Sequence, residues 1–152
     1  MSRRMALSVA TGVVVLGGVG AGALALAYAG DQPPAIADSS ARYTAPAGDR
    51  DGALTFVADV SASSGVRSVK VLAWPENSSL AEKRPTAKDM AAVESAICKP
   101  AGQDTVRCTY TAPVRLSDAQ SSPHGVWHVA VLATAKDGTT TLDDKAADFT
   151  VG

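Results

Sequence analysis

Three stretches of the chain alternate between apolar and polar residues, a pattern typical of half-buried β-strands. They span residues 52–60, 66–74 and 125–133, and the second is expected to end at Pro75 because proline cannot donate a hydrogen bond to a β-ladder. The third is apolar on both faces, which predicts a strand at the centre of a sheet. The apolar positions of the first stretch are Leu54, Phe56, Ala58 and Val60.

Further strands are predicted in the C-terminal half. Val106, Cys108 and Tyr110 share one strand face, and Asp137-Gly138 is a preferred dipeptide for a tight hairpin turn before a return strand over residues 139–142. A last strand follows, with apolar residues at Ala147, Phe149 and Val151. The count of six to seven short strands, separated by turn signals, predicts an all-β sandwich.

Helical signals interrupt this strand pattern in one region. Thr86 with Asp89 three residues later resembles a capping box, and Met90, Val93 and Ile97 follow at helical spacing. The sequence therefore predicts one helix over residues 87–97, which would bring Cys98 to its C-terminal end. Residues 117–122 are polar and predict a turn or a single helical turn.

The N-terminal segment is basic at its start and uncharged and mostly apolar after it. Residues 5–30 carry no charge and follow Arg3 and Arg4. This order, basic then apolar then polar, predicts a secretory signal peptide over residues 1–29, with cleavage after Ala27 or Ala29. The adjacent arginines leave the general and the twin-arginine export routes both open.

A retained membrane anchor is the alternative for this segment, since about 20 apolar residues suffice to cross a bilayer. Five glycines dilute the segment and favour cleavage. Either interpretation places the residues from Asp31 onward outside the cytoplasm, as a secreted or a membrane-anchored domain. Residues 30–41 are polar and proline-marked and predict a flexible linker, so the folded domain is expected over residues 42–152.

Composition then narrows the class of partner. The chain has 152 residues, 46% of them hydrophobic, with 14 basic and 15 acidic side chains. Without the N-terminal segment, 12 basic residues face all 15 acidic ones, which is no electrostatic platform for nucleic acid. We therefore expect one globular domain with a protein or cell-envelope partner, and contact with a membrane only if the N-terminal segment is retained. The oligomeric state is left open.

Cys98 and Cys108 are the two cysteines of the chain. An even count in an exported chain predicts a disulfide between them. Redox or zinc chemistry would need C-x-x-C spacing or further ligands, which these positions lack. The bridge is expected to be structural.

The sequence offers little catalytic chemistry. His124 and His128 have the i, i+4 spacing of a metal site only if they are helical, but they fall in a predicted loop and a predicted strand. Asp118 and Ser121 lie near His124 in sequence, without an arrangement that would make a catalytic triad. We expect no enzyme activity, no metal and no cofactor.

Two acidic segments and the aromatic residues also have simple interpretations. Residues 48–52 resemble part of a calcium loop but lack further ligands, so an acidic turn is expected, and Asp143-Asp144 is expected in a solvated turn. The six aromatic residues after the N-terminal segment all fall in predicted strands and are expected to pack in the core; a carbohydrate-stacking row would need two of them facing solvent. They are Tyr43, Phe56, Trp74, Tyr110, Trp127 and Phe149.

The alternation from Leu54 to Val60, the Ser64-Gly65-Val66 turn and the run from Gly125 to Ala133 before Asp137-Gly138 resemble bacterial immunoglobulin-like modules. More narrowly, the chain is similar to small exported actinobacterial proteins that carry an uncharacterised immunoglobulin-like domain. The resemblance implies an immunoglobulin-like or fibronectin-III-like sandwich with one inserted short helix. It departs from antibody domains because the cysteines do not bridge the two sheets beside a tryptophan.

Two functions follow as expectations. The leading one is an exported, noncatalytic module with a binding or envelope-structural role. The alternative is a secreted protease inhibitor, since the predicted helix before Cys98, the strand at Cys108-Thr109-Tyr110 and Gly125-Val126-Trp127 faintly resemble the small subtilisin inhibitors of actinomycetes. Those inhibitors use two disulfides, whereas this chain has two cysteines in all.

Overall fold

The computed structural model describes residues 32–152, which form seven antiparallel strands and three short helical turns. The fold is mostly β, as predicted, but the strands at residues 35–44 and 97–102 were not predicted, and the two last predicted strands, over residues 139–142 and 147–151, form a single strand. The strands are β1 (Ala35–Thr44), β2 (Gly52–Ser61), β3 (Val66–Pro75), β4 (Ile97–Gly102), β5 (Thr105–Val114), β6 (Gly125–Ala135) and β7 (Thr140–Val151). The helices are a 3-10 turn (Ser79–Ala81), α1 (Ala87–Met90) and α2 (Leu116–Ser121).

The strands form two sheets whose inner faces pack against each other. One sheet has the order β1-β2-β5-β4 and the other β3-β6-β7, so the chain changes sheet between β2 and β3. The inward side chains of β2 predicted from the sequence are buried and pack against Val69, Val71, Val129 and Val131 of the second sheet. The alternation in the sequence therefore identified this interface correctly.

Strand β6 lies at the centre of the three-stranded sheet, as its two apolar faces predicted. Its outer face, with Ala130 and Leu132, packs against Trp74 and Met90. The connection between β3 and β4 supplies Met90 and so covers this face. The Trp74 indole N–H donates to the carbonyl oxygen of Asp144 at 3.0 Å, where β7 departs from regular pairing with β6.

The long predicted helix is wrong. Thr86 and Asp89 do form the predicted capping box, but α1 spans Ala87–Met90, and Ile97 belongs to β4 with 71% of its surface exposed. The chain leaves the helix because the Ala96 N–H donates to the carbonyl oxygen of Val69 at 2.8 Å on the edge of β3. Tertiary hydrogen bonds thus replace the helical ones.

The predicted linker over residues 30–41 and the domain start near Arg42 are also corrected, because β1 begins at Ala35 and pairs with β2. The sequence hid this strand because Asp38 has a positive φ of 52° at a break in the pairing register, which interrupts the alternation. The predicted signal or anchor segment over residues 1–29, with cleavage after Ala27 or Ala29, lies outside the described residues. Within residues 32–152, no helix is long and apolar enough to cross a membrane.

The two ends of the sandwich carry different parts of the chain. The chain enters β1 at the end that also holds the β2–β3 turn and the β6–β7 hairpin, because Ala35 pairs with Ser61. The opposite end, called the distal end below, holds the β1–β2 connection, α2 and the last residues of β7. Since β1 has ten residues at about 3.3 Å each, the two ends are about 30 Å apart.

Candidate functional site

The predicted disulfide between Cys98 and Cys108 is confirmed, but its position is not the predicted one. The two residues face each other in register on β4 and β5, with their Cα atoms 4.0 Å apart, so the bridge joins neighbouring strands and not a helix end to a strand. Cys108 is fully buried against the core. The bridge therefore holds the edge strand β4 to the sheet.

The two histidines have separate environments. His124 is exposed just before β6, whereas His128 is buried on the outer face of the three-stranded sheet, as predicted for a residue on a sheet face. Its Nδ1 lies 2.6 Å from Asp148 Oδ1 and its Nε2 lies 2.8 Å from Glu76 Oε1. Both ring nitrogens donate to these carboxylates when the ring is protonated. Sequence patterns carried no signal for these partners, because Glu76 follows β3 and Asp148 lies in β7, far from His128 along the chain.

This histidine cluster joins strands, because His128 of β6 contacts Asp148 of β7 and Glu76 directly after β3. The centroid of the Trp74 ring lies 4.7 Å from that of the His128 imidazole, and both nitrogens of the imidazole contact carboxylate oxygens. Within the described residues, no group of three His, Cys, Asp or Glu side chains is placed to hold a metal ion. The arrangement can therefore fix the ends of β3, β6 and β7 relative to one another.

The other candidate side chains are engaged locally. The Asp118 carboxylate accepts the Arg115 backbone N–H at 3.1 Å, and the Ser121 hydroxyl donates to the Ser117 carbonyl oxygen at 3.0 Å. These bonds belong to α2, the single helical turn that the sequence allowed, and they do not form a relay with His124.

The acidic segments differ from each other. Residues 48–51 lie in a tight exposed turn in which Ala47 and Arg50 exchange backbone hydrogen bonds of 3.1 and 3.0 Å, as expected for an acidic turn, and Gly52 begins β2. Asp143-Asp144 is not in a solvated turn but within β7. Asp144 is half-buried and pairs with Arg84 at 3.5 Å.

The six aromatic residues all lie in strands, as predicted, but they are not all core residues. Phe56 and Trp74 are buried, whereas Tyr110 and three others are partly exposed. Those three form a continuous stack across both sheets, in the order Tyr43, Phe149, Trp127. Each ring centroid lies 5.8 Å from the next, with interplanar angles of 21° and 28°. The sequence missed this stack because it depends on β1 of one sheet lying beside β7 of the other.

The stack forms one wall of a partly open cavity of about 120 Å³ between the sheets at the distal end. The other lining residues are mostly apolar and come from the strand ends, α2 and the segment after it. They are Leu54, Ala73, Pro113, Val114, Asp118, Ser122 and Val151. Inward positions that elsewhere fill the core here surround a space, which we call the distal cavity.

Apolar residues also lie on the surface of the segments that line the distal cavity. Leu116, the first residue of α2, is 52% exposed, and Val126, next to Trp127 at the start of β6, is 42% exposed. Together with Ile97 on β4, they are the strongly exposed large hydrophobic residues of the described part of the chain. Leu116 belongs to the helix whose Asp118 lines the distal cavity, whereas Val126 alternates with Trp127 and so lies on the outer face of its sheet.

A wider depression of about 970 Å³ runs along the β4 edge, but it is a weaker candidate for a binding site than the distal cavity. Three of its side chains are already paired: Arg107 binds both carboxylate oxygens of Asp59 at 2.8 and 3.1 Å, and the Tyr110 hydroxyl donates to Glu94 at 2.7 Å. Burial and this hydrogen bond raise the pKa of Tyr110 to about 12. Pro100 on β4 lacks the N–H that an added strand would need.

Comparison with known proteins gives a family without a function. No curated protein and no solved structure matches the chain. A family model described as a family of unknown function, DUF5707, matches residues 36–133, which is more than half of the chain. The matched range extends from β1 into β6 and so includes the disulfide, the β3–β4 connection and α2, though not β7. On this match, the chain belongs to the DUF5707 family of unknown function.

Proposed function

We propose that this protein is an exported, noncatalytic module of the immunoglobulin-like type, which binds a component of the cell envelope through its distal end. The observation that carries the proposal is the distal cavity, an apolar space that has a stacked aromatic wall and is lined in part by α2, whose Leu116 is exposed. Binding interfaces are organised in this way, with a pocket for an anchor at the centre and apolar contacts around it.

The export part of the proposal rests on the sequence. An uncharged apolar segment over residues 5–30 follows two arginines, and the two cysteines of the chain are paired, as is usual in oxidising compartments. The chain enters the sandwich at the end opposite the distal cavity. In the form that retains the N-terminal segment as an anchor, the distal end therefore points away from the point of attachment.

Binding of the purified full chain to isolated cell envelopes tests the proposal, with the bound fraction measured after sedimentation. Leu116→Asp places a charge on α2, which lines part of the distal cavity, and is expected to weaken binding at least tenfold, since burying an unpaired charge in an interface costs about 2 kcal/mol or more. Ile97→Asp is the matched control, because Ile97 is an equally apolar exposed residue on β4. Equal binding of both variants and the native chain would contradict the proposal.

Two further measurements test its other parts. The intact mass of the exported protein is expected to show a chain beginning after Ala27 or Ala29 in the secreted form, or the whole chain in the membrane fraction for the anchored form. Recovery of the whole chain from the cytoplasm would refute export. Stoichiometric inhibition of subtilisin or trypsin would replace the envelope-binding role with the inhibitor role.

A further inference from the structure

We infer that Glu76 and His128 form a latch over the buried His128–Trp74 pair, and that the latch opens when the imidazole loses the proton on Nε2. The latch lies on the outer face of the three-stranded sheet, whereas the distal cavity lies on its inner face, so the two are independent. Three observations support the latch: the burial of the imidazole, the two carboxylates at its nitrogens and the path of the chain at Glu76.

The His128 imidazole depends on protein partners because it is buried. Its side chain is 5% exposed, and the Trp74 ring of β3 lies against it. A buried charge is costly unless hydrogen-bonded groups of opposite charge compensate it. Both ring nitrogens have such a group, since Nδ1 lies 2.6 Å from Asp148 and Nε2 lies 2.8 Å from Glu76. The arrangement therefore matches an imidazolium whose two N–H groups each donate to a carboxylate.

The other charged groups on this side of the sheet have partners of their own. Strand β6 carries no ionisable side chain besides the histidine. In the β3–β4 connection, Arg84 pairs with Asp144 of β7 at 3.5 Å. Helix α1 packs its apolar Met90 on this face, while its Asp89 carboxylate binds Thr86 at the start of the helix. The two carboxylates at the ring nitrogens are therefore the groups that respond directly to the charge of the imidazole.

The two carboxylates are held by different parts of the backbone. Asp148 is the cross-strand partner of His128 on β7, so regular strand pairing fixes its distance from the ring. Glu76 lies one residue beyond the end of β3, where the chain leaves the sheet. The hydrogen bond at one ring nitrogen of a histidine decides which nitrogen keeps the proton. The shorter contact, held by the strands, therefore keeps the proton on Nδ1, and the proton that leaves is the one on Nε2.

Loss of this proton turns the contact at Nε2 from attraction into repulsion. The bare nitrogen presents its lone pair to a carboxylate oxygen of Glu76, and both atoms are then acceptors. The Glu76 backbone N–H stays bound to the Val126 carbonyl oxygen at 2.9 Å, whereas its side chain is 59% exposed and free to be hydrated. The side chain therefore turns into water about a fixed backbone and uncovers the edge of the imidazole.

The latch makes one edge of the outer face respond to pH. Imidazole is the side chain that changes its charge between about pH 5 and pH 8, and buried histidines act as pH-dependent contacts for this reason. Trp74, against which the imidazole lies, belongs to the apolar cluster that holds the β3–β4 connection on the sheet, with Met90, Ala130 and Leu132. Opening of the latch therefore admits water beside this cluster.

The ring and amide signals of the full chain, followed by ¹H–¹⁵N spectroscopy from about pH 5 to about pH 8, test the latch. Both ring nitrogens of His128 are expected to be protonated at the acidic end, and Nδ1 alone at the basic end. The backbone amide signal of Asn77, next to Glu76, is expected to shift in step with the ring. His124→Gln is the matched control, because it removes the other histidine, which is exposed, and is expected to change none of these results.

Two variants of nearly unchanged shape distinguish the latch from a cluster that is only structural. Asp148→Asn removes the charge that holds the proton on Nδ1, so the neutral ring is expected to keep Nε2–H on Glu76 and the latch to stay closed at the basic end. Glu76→Gln supplies an amide that can accept from Nε2–H or donate to the bare nitrogen. The neutral ring is then expected to keep the proton on Nδ1. The shift of the Asn77 signal with pH is expected to be lost in both variants.

Three results would overturn the inference: a native ring whose neutral form keeps its proton on Nε2, an Asn77 signal that does not follow the ring, or the same tautomer in both variants. The first two are measured on the native protein and do not depend on how well a variant folds. Envelope binding through the distal end is measured separately, so its failure leaves the latch untouched.

Discussion

Replacing Cys98 and Cys108 together with alanine removes the covalent link between β4 and β5, and the structure allows its effect to be estimated. The two residues are 10 positions apart, so the bridge closes a loop of about 11 residues in the unfolded chain. In the chain-entropy model, closing such a loop stabilises the folded state by about 3 kcal/mol at 25 °C. Loss of the buried Cys108 sulfur adds about 1 kcal/mol.

The expected total is therefore a decrease of about 3 to 4 kcal/mol in the free energy of unfolding. For a domain of this size, such a loss lowers Tm by roughly 10 to 15 °C. The slope m against urea is expected to rise, because the unfolded chain without the bridge exposes more surface. Urea and thermal unfolding followed by circular dichroism measure all three quantities.

The native protein with its disulfide reduced is the control, since it lacks the bridge but keeps both sulfur atoms. Its stability is expected to lie within about 1 kcal/mol of that of the double-alanine variant. A loss below about 1 kcal/mol in both proteins would refute the reasoning. It would mean that the β4–β5 hairpin already brings the two positions together in the unfolded chain, so that the bridge removes little entropy.

Two further predictions concern a turn and a titrating group. Gly52→Ala is expected to lower the free energy of unfolding, measured in urea, by about 3 kcal/mol or more, because the new Cβ would overlap the Thr44 carbonyl oxygen. Gly48→Ala is expected to lower it by about 1 to 2 kcal/mol, because the new Cβ meets open space but the backbone has a φ of 63°. Equal losses in the two variants would contradict this difference. Since the folded pKa of Tyr110 is raised to about 12, its contribution to stability is complete below pH 10 and is lost as pH rises from 10 through 12. Ultraviolet titration is expected to show one tyrosine ionising near pH 12 and to lose that step in Tyr110→Phe; a Tyr110 that ionises near pH 10 would overturn the assignment of its environment.

Parts of the fold could be predicted because they depend on local periodicity. The alternation in β2 and the two apolar faces of β6 follow directly from side chains pointing to opposite sides of a strand. The Asp137-Gly138 hairpin and the Thr86 capping box are equally local, since a dipeptide or a four-residue pattern contains all of the interacting groups. The structure agrees with each of these predictions.

Other parts could not be predicted, because their determinants lie far apart in the sequence. The spacing from Met90 to Ile97 predicts a helix, but the Ala96 N–H donates instead to the Val69 carbonyl oxygen on β3. Likewise, β1 has a broken alternation and is recognisable as a strand through its pairing with β2. In both cases a partner in another element decided the backbone conformation.

The sequence by itself determined a mostly β chain with one disulfide and the inward faces of β2 and β6, because strand periodicity, turn dipeptides and an even cysteine count are local or compositional properties. The tertiary structure decided what could be a site. The aromatic stack joins residues of β1, β7 and β6, and the distal cavity needs the two sheets to meet around it. The strand positions of these aromatic residues predicted core packing. They line a cavity instead, because the inner faces of the two sheets do not fill the space between them at the distal end.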